Sequence, residues 1–180
     1  MNPPETYSHL LRQTVDDLSD TAKMKGLFHQ HRHGDPLPSS AALEEIIGLC
    51  RAVLLPQKLP LNAVTVRYHI GMEVERLFSL LTAQIQAGLC FSRQEEDNRC
   101  MGIDYHAKAE AIAASLISLL PQVRRTLATD VEAAYLGDPA AQNYGEVISC
   151  YPAIRALTCY RIAHELYRLD VPLIPRIITE

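Results

Sequence analysis

Apolar residues recur every three or four positions through most of this 180-residue chain, with polar residues between them. This spacing is typical of amphipathic helices that bury one face. One segment is ambiguous, because Val64–Ile70 alternates as a strand would. The apolar stripe that starts there continues at helical spacing for over five turns, so we predict a helix. The predicted helices cover residues 5–20, 41–55, about 62–85, 104–120, about 123–136 and 151–169.

Capping residues and prolines set the limits of these helices. Ser39 and Ser40 are typical N-cap residues, and Asp104 can cap a later helix. Pro121 either kinks that helix or begins the next one. The sequence has neither an alternating strand with turn residues nor an internal repeat. We therefore predict an all-α bundle of about six or seven helices that forms one domain over residues 1–180.

The last segment, Leu173–Ile178, is almost wholly apolar and follows Pro172, which ends the final long helix. We expect this segment to leave apolar surface exposed, as at a boundary with a following part of a longer chain. Together with the amphipathic helices, that exposed surface predicts self-association.

Composition narrows the possible function classes. The net charge of −4 argues against a nucleic-acid binder, because neutralising phosphates requires clustered lysines and arginines. An apolar content of 48% excludes a disordered chain, and no apolar stretch is long enough to span a membrane. Met1–Thr6 contains Glu5 and no basic residue, so we expect no secretory signal.

The five cysteines are odd in number and form no Cys-x-x-Cys pair. A disulfide scaffold would require an even number in a shorter chain. We therefore expect free thiols in a reducing cytoplasm. These residues are Cys50, Cys90, Cys100, Cys150 and Cys159.

Histidines offer a weak case for a metal site. His29, His31 and His33 alternate in a predicted loop, but only Asp35 among the other ligand types lies beside them. Two His–Glu pairs have i, i+4 spacing, and such a pair with a third ligand elsewhere could hold zinc. However, this spacing is more typical of pairs on helix surfaces. These pairs are His69–Glu73 and His106–Glu110. We predict no metal.

Asp138 lies in the turn Gly137-Asp138-Pro139, directly after a predicted helix. Aspartate commonly shapes such turns through hydrogen bonds from nearby backbone N–H groups to its own side chain. The alternative is a carboxylate that a rigid corner presents to a ligand. From the residues alone, the turn-forming role is favoured.

A resemblance to a known family changes that balance. Three stretches carry it: Thr129–Ala141, the dipeptide Tyr151-Pro152, and Ala156–Tyr167 with its Tyr-Arg-Ile-Ala-His core. Over roughly residues 128–180 the chain resembles serine O-acetyltransferase. The resemblance implies the helical N-terminal domain of that enzyme, which a left-handed β-helix of hexapeptide repeats follows in the family.

The family's catalytic His and its orienting Asp lie on the β-helix, and acetyl-CoA binds between adjacent β-helices of a trimer. All of these would follow residue 180, so the resemblance implies no catalytic residue and no bound cofactor in this chain. It assigns Asp138 to the serine pocket. Arg161 and His164 lie in the matching helix without a catalytic role. Because Tyr160 and Tyr167 share a helix face with His164, we expect that histidine to be packed and hydrogen-bonded.

The resemblance implies the assembly and substrate-pocket domain of a cytoplasmic enzyme that transfers an acetyl group from acetyl-CoA to L-serine, in cysteine biosynthesis. The parent enzyme would be a hexamer, a dimer of trimers, and a C-terminal tail beyond residue 180 would bind O-acetylserine sulfhydrylase. The chain alone should be inactive and should bind neither nucleic acid nor membrane. The alternative is a stand-alone helical interaction module without catalysis. A small metal-binding protein built on the loop histidines is the weakest reading.

Overall fold

The computed structural model describes residues 3–20, 22, 35–56, 62–92 and 103–180. The chain divides into two compact units, Met1–His33 and Gly34–Glu180. The first unit contains α1, Pro3–Ser19, as the sequence predicts. Its apolar stripe is exposed, with Leu11 at 65% and Leu18 at 73% of full side-chain accessibility. Within the described part of this unit, α1 therefore presents an exposed apolar face.

The second unit contains six helices, and the described residues include no strand. The prediction of an all-α fold with six or seven helices is confirmed. Following α1, the helices are α2 (Ser40–Leu54), α3 (Ala63–Phe91), α4 (Ile103–Gly137), α5 (Tyr144–Cys150), α6 (Pro152–Arg168) and α7 (Ile174–Thr179).

Side-chain caps define two of the helix starts. The hydroxyl of Ser39 accepts a hydrogen bond from the Ala42 N–H at 3.3 Å, and the Asn62 side chain accepts one from the Val64 N–H at 2.9 Å. Each satisfies a donor that the first helical turn leaves without an intrahelical partner. Both starts lie where the sequence predicts them.

α4 runs without interruption through Pro121. The two segments predicted on either side of this proline therefore belong to a single helix of 35 residues. Leu120 and Val123, on either side of the proline, are both buried. Just beyond it, the Arg124 guanidinium donates to the Leu54 carbonyl at 3.0 Å and to the Val53 carbonyl. These bonds satisfy carbonyls at the C-terminal end of α2 and hold α4 against it. Asp104, predicted as a cap, lies inside α4.

The main core lies between α2, α3, α4, α6 and α7 and is aliphatic. A second, smaller cluster of Val131, Val147 and Ile154 joins the C-terminal part of α4 to α5 and α6. Fully buried side chains of the main core include Ile46, Leu81, Leu116, Ile162 and Leu166.

The expectation for the C-terminal segment is wrong. Leu173–Ile178 does not form an exposed tail, because α7 packs against α2, α3 and α6 and buries Ile174 and Ile178 in the main core. The chain reaches α7 through a γ-turn: Leu173 has φ 62° and ψ −50°, and the Ile174 N–H donates to the Pro172 carbonyl at 2.6 Å. This conformation is rare and strained for a leucine, so the packing of α7 must hold it in place.

The cysteines differ in environment. Cys50 is free and buried, and burial raises the pKa of its thiol to about 12, which makes it unreactive. Cys159 is free and half-buried, whereas Cys150 is free and exposed. Cys90 is disulfide-bonded, so the expectation of free thiols is wrong for that residue. Within the described ranges, no helix has the length and apolar character needed to cross a membrane.

Candidate functional site

Asp138 forms the corner that follows α4. Its Oδ1 accepts a hydrogen bond from the Ala140 N–H at 2.9 Å, and its backbone carbonyl accepts one from the Ala141 N–H at 3.1 Å. These are the bonds expected of an aspartate that shapes a turn. The turn-forming role that the sequence suggests is therefore present.

The second carboxylate oxygen of Asp138 has a partner that sequence analysis missed. The Tyr151 hydroxyl, from the residue that begins α6, donates a hydrogen bond to Oδ2. This bond and the Ala140 bond hold the pKa of Asp138 below its usual value, because both stabilise the ionised form. The same bond raises the pKa of Tyr151 to about 12. At neutral pH the pair therefore consists of a carboxylate and a protonated phenol.

The surrounding elements fix the position of this pair. α5 lies between Asp138 and Tyr151 in the chain, and its N-cap Asn143 accepts from the Glu146 N–H at 2.9 Å. Glu146 in turn accepts from the Gln142 N–H at 2.8 Å. The Asn-x-x-Glu spacing is a sequence signature of a helix start, and it could have revealed α5, which the sequence analysis did not predict.

A charged pair links α4 and α6 about two helical turns before this corner. The Arg161 guanidinium donates two hydrogen bonds to Asp130, from Nε at 2.7 Å and from Nη2 at 2.8 Å. The side chains are 27% and 16% exposed, respectively, and the bonds raise the pKa of Arg161. A bidentate pair of hydrogen bonds of this kind fixes the relative position of the two helices. The pair therefore gives Arg161 a structural role.

The comparisons with known proteins identify the family. No protein-family model matches the chain. A plasmid-encoded serine acetyltransferase of Synechococcus elongatus is 37% identical over 149 residues, which cover 81% of this chain and 47% of that protein. A second serine acetyltransferase of the same organism is 47% identical over 55 residues. This chain is a homologue of the serine acetyltransferases.

Solved structures extend the likeness to the fold. Serine acetyltransferase 1 of Entamoeba histolytica in complex with L-cysteine matches with a TM-score of 0.59 at 25% identity, over 97% of this chain and 55% of that one. Isoform 3 from the same organism matches with a TM-score of 0.60 at 22% identity, over 95% of this chain and 55% of that one. The chain thus spans about half the length of the serine acetyltransferases that it matches.

Helix α6, in which the resemblance to serine acetyltransferases is found, has an exposed aromatic face. Tyr160 is 54% exposed, Tyr167 is 71% exposed, and His164 is exposed between them. The rings of Tyr160 and His164 stack at a centroid distance of 5.8 Å. His164 therefore packs on Tyr160 at the surface, because the buried apolar face of α6 is formed by Ile154, Ile162 and Leu166.

One of the two predicted His–Glu pairs, His106–Glu110, is an exposed pair on the surface of this serine acetyltransferase homologue. His106 Nε2 lies 3.5 Å from Glu110 Oε1, with both side chains more than half exposed. His69 is exposed and contacts the edge of Tyr68. The described ranges contain no group of three His, Cys, Asp or Glu residues that could hold a metal ion. His29, His31 and His33 lie outside the described residues.

Proposed function

We propose that this chain is the helical N-terminal part of a serine O-acetyltransferase, and that Asp138 contributes to its L-serine pocket. Homology over 81% of the chain is the observation that carries the proposal. In this view the whole enzyme, in the cytoplasm, acetylates the hydroxyl of L-serine with acetyl-CoA, and the helical part supplies one carboxylate and contacts for assembly.

The geometry at Asp138 is compatible with both shaping the turn and binding a substrate. Each carboxylate oxygen has one partner in the structure, yet an ionised carboxylate has about four acceptor sites. The lowered pKa keeps the group charged at neutral pH. A fixed anion at a rigid corner suits the ammonium group of an amino acid.

The other requirements of acyl transfer fall to the remainder of the enzyme. A base must take the proton of the serine hydroxyl as the oxygen attacks the thioester, and that base needs an orienting carboxylate. In our proposal these groups and the acetyl-CoA groove belong to the part of the enzyme that this chain does not cover.

We expect the isolated chain to release no coenzyme A from acetyl-CoA and L-serine above a heat-treated control. A chimera should be active when this chain replaces the matching half of the Synechococcus elongatus plasmid enzyme. Thiol release measured with a chromogenic disulfide reports both reactions. Activity of the isolated chain would contradict the assignment of the chemistry to the missing half.

A stand-alone interaction module remains the second candidate, because α1 exposes a continuous apolar stripe. The chimera distinguishes the two. A chimera that is folded by circular dichroism and binds acetyl-CoA, yet leaves L-serine unacetylated, would favour the module and contradict the enzyme proposal.

We also propose that the chain forms homo-oligomers, the hexamer of the parent enzyme being the expected assembly. Sedimentation velocity at tens of micromolar should show self-association, and replacing Leu10 and Leu18 with glutamate should shift the chain toward monomer. These residues are 58% and 73% exposed, so the change should not disturb a core. Gln13→Glu, an exposed polar position on the same helix, serves as the charge control. A wild-type monomer would contradict this expectation.

A further inference from the structure

A cavity of about 550 Å³ lies between α2 and the junction of α5 with α6. Its polar lining includes Arg51 and Glu44 from α2, Cys150 from α5, Tyr151 at the junction, and Arg155 from α6. Asp138 does not line it. The volume is that of a small-molecule site.

Arg51 lines this cavity and also has one donor without a partner. Its Nη2 donates to the Ile148 carbonyl at 3.2 Å, whereas Nη1 is shielded from solvent and has no hydrogen-bond partner. A buried N–H group without an acceptor is unfavourable and rare in proteins. No acidic residue of the described ranges forms an ion pair with Arg51. An anion that binds in the cavity against this guanidinium would compensate its charge.

The rest of the lining also favours an anion. Arg155 contributes a second guanidinium, whose 3.1 Å ion pair with Glu44 leaves it 63% exposed. The cavity also meets the N-terminus of α6, a 17-residue helix that has no side-chain cap and no acidic residue in its first turn. Such a helix terminus carries a partial positive charge. With two arginines and one glutamate, the local charge is positive.

We propose that this cavity binds a small oxyanion, a carboxylate or phosphate group of a metabolite, with Arg51 as its principal ligand. A guanidinium binds either group through two parallel hydrogen bonds. Arg155 and the first turn of α6 contribute additional positive potential. Asp138 itself does not line the cavity, although its hydrogen-bond partner Tyr151 does. Binding in the cavity can be measured on this chain without acetyl transfer.

Titration of the ¹⁵N-labelled 180-residue chain tests this, with inorganic phosphate in one arm and acetate in the other at ionic strength fixed by sodium chloride. We expect saturable amide shifts at the start of α6 in at least one arm, which also identifies the preferred group. Arg51→Gln should weaken binding about ten- to a hundredfold, the loss expected for hydrogen bonds to a charged partner. Arg67→Gln on α3, an exposed arginine that does not line the cavity, should leave binding unchanged.

Two further measurements keep the test decisive if Arg51→Gln fails to fold. Arg155→Gln, at an exposed position, should weaken binding severalfold. Saturating anion should slow alkylation of the exposed Cys150 by iodoacetamide, as followed by peptide mass spectrometry, because Cys150 lines the same cavity. Absence of saturable binding in both arms, or binding that Arg51→Gln and Arg155→Gln leave unchanged, overturns the proposal.

Discussion

Asp138→Asn is expected to lower kcat/KM for L-serine about ten- to a hundredfold in the active chimera, the range for losing one charge-assisted hydrogen bond. The reason is electrostatic. Asparagine can still accept from the Ala140 N–H and so preserve the turn, but it removes the negative charge that the proposed site offers to the substrate ammonium. KM for acetyl-CoA and the melting temperature should remain near those of the unsubstituted chimera. Steady-state kinetics with each substrate varied in turn provide the measurement.

Tyr151→Phe is the matched control for that substitution. It removes the phenolic donor to Oδ2 but leaves the carboxylate charged at neutral pH. Serine kinetics should therefore change only severalfold. If Asp138→Asn shows ordinary serine kinetics, the residue only shapes the turn, and its assignment to the substrate pocket is wrong.

Gly88→Ala should destabilise the protein by about 1–3 kcal/mol, the usual range for overpacking a filled core. A Cβ atom at Gly88 would lie 2.9 Å from Ile174 Cγ1 and 2.9 Å from the Pro172 carbonyl oxygen. The side chain of Ile174 is fully buried, and the carbonyl oxygen is held in the γ-turn before α7, so neither can yield easily. Urea unfolding monitored by circular dichroism measures the loss.

Gly71→Ala provides a control on the same helix. A Cβ at Gly71 meets nothing within 4 Å, so the same substitution should stabilise the helix by about 0.5–1 kcal/mol. The two variants are thus expected to differ in sign. If Gly88→Ala stabilised the protein as well, α7 could not pack against α3 as described.

The sequence was most informative where structure depends on neighbours in the chain. Ser39 and Asn62 begin α2 and α3 because their side chains accept from N–H groups two or three residues ahead, and such contacts are visible in a local pattern. The stripe from Val66 onward similarly distinguished a helix from a strand. Asp138 could be placed in a turn for the same reason.

Features that depend on distant residues could not be predicted in this way. The sequence around Pro121 is compatible with either a break or a continuous helix. The helix is continuous because Leu120 and Val123, on either side of the proline, are both buried in the core. Pro175 lies in the apolar segment that we expected to remain exposed, yet it occupies the first turn of α7, where the missing N–H of a proline costs no helical hydrogen bond. The partnership of Tyr151 with Asp138 depends on how α5 folds between them.

The unbroken course of α4 also has a consequence for cooperativity. Ala109 and Leu116 anchor its first half in the main core, whereas Val131 anchors its end in the smaller cluster beneath the Asp138 corner. One continuous helix connects the two, although Pro121 lacks the N–H for one backbone hydrogen bond. The smaller cluster therefore cannot melt separately without fraying the end of a helix that the larger one holds. Amides around the corner should therefore exchange with solvent through the same opening event as the centre of the bundle.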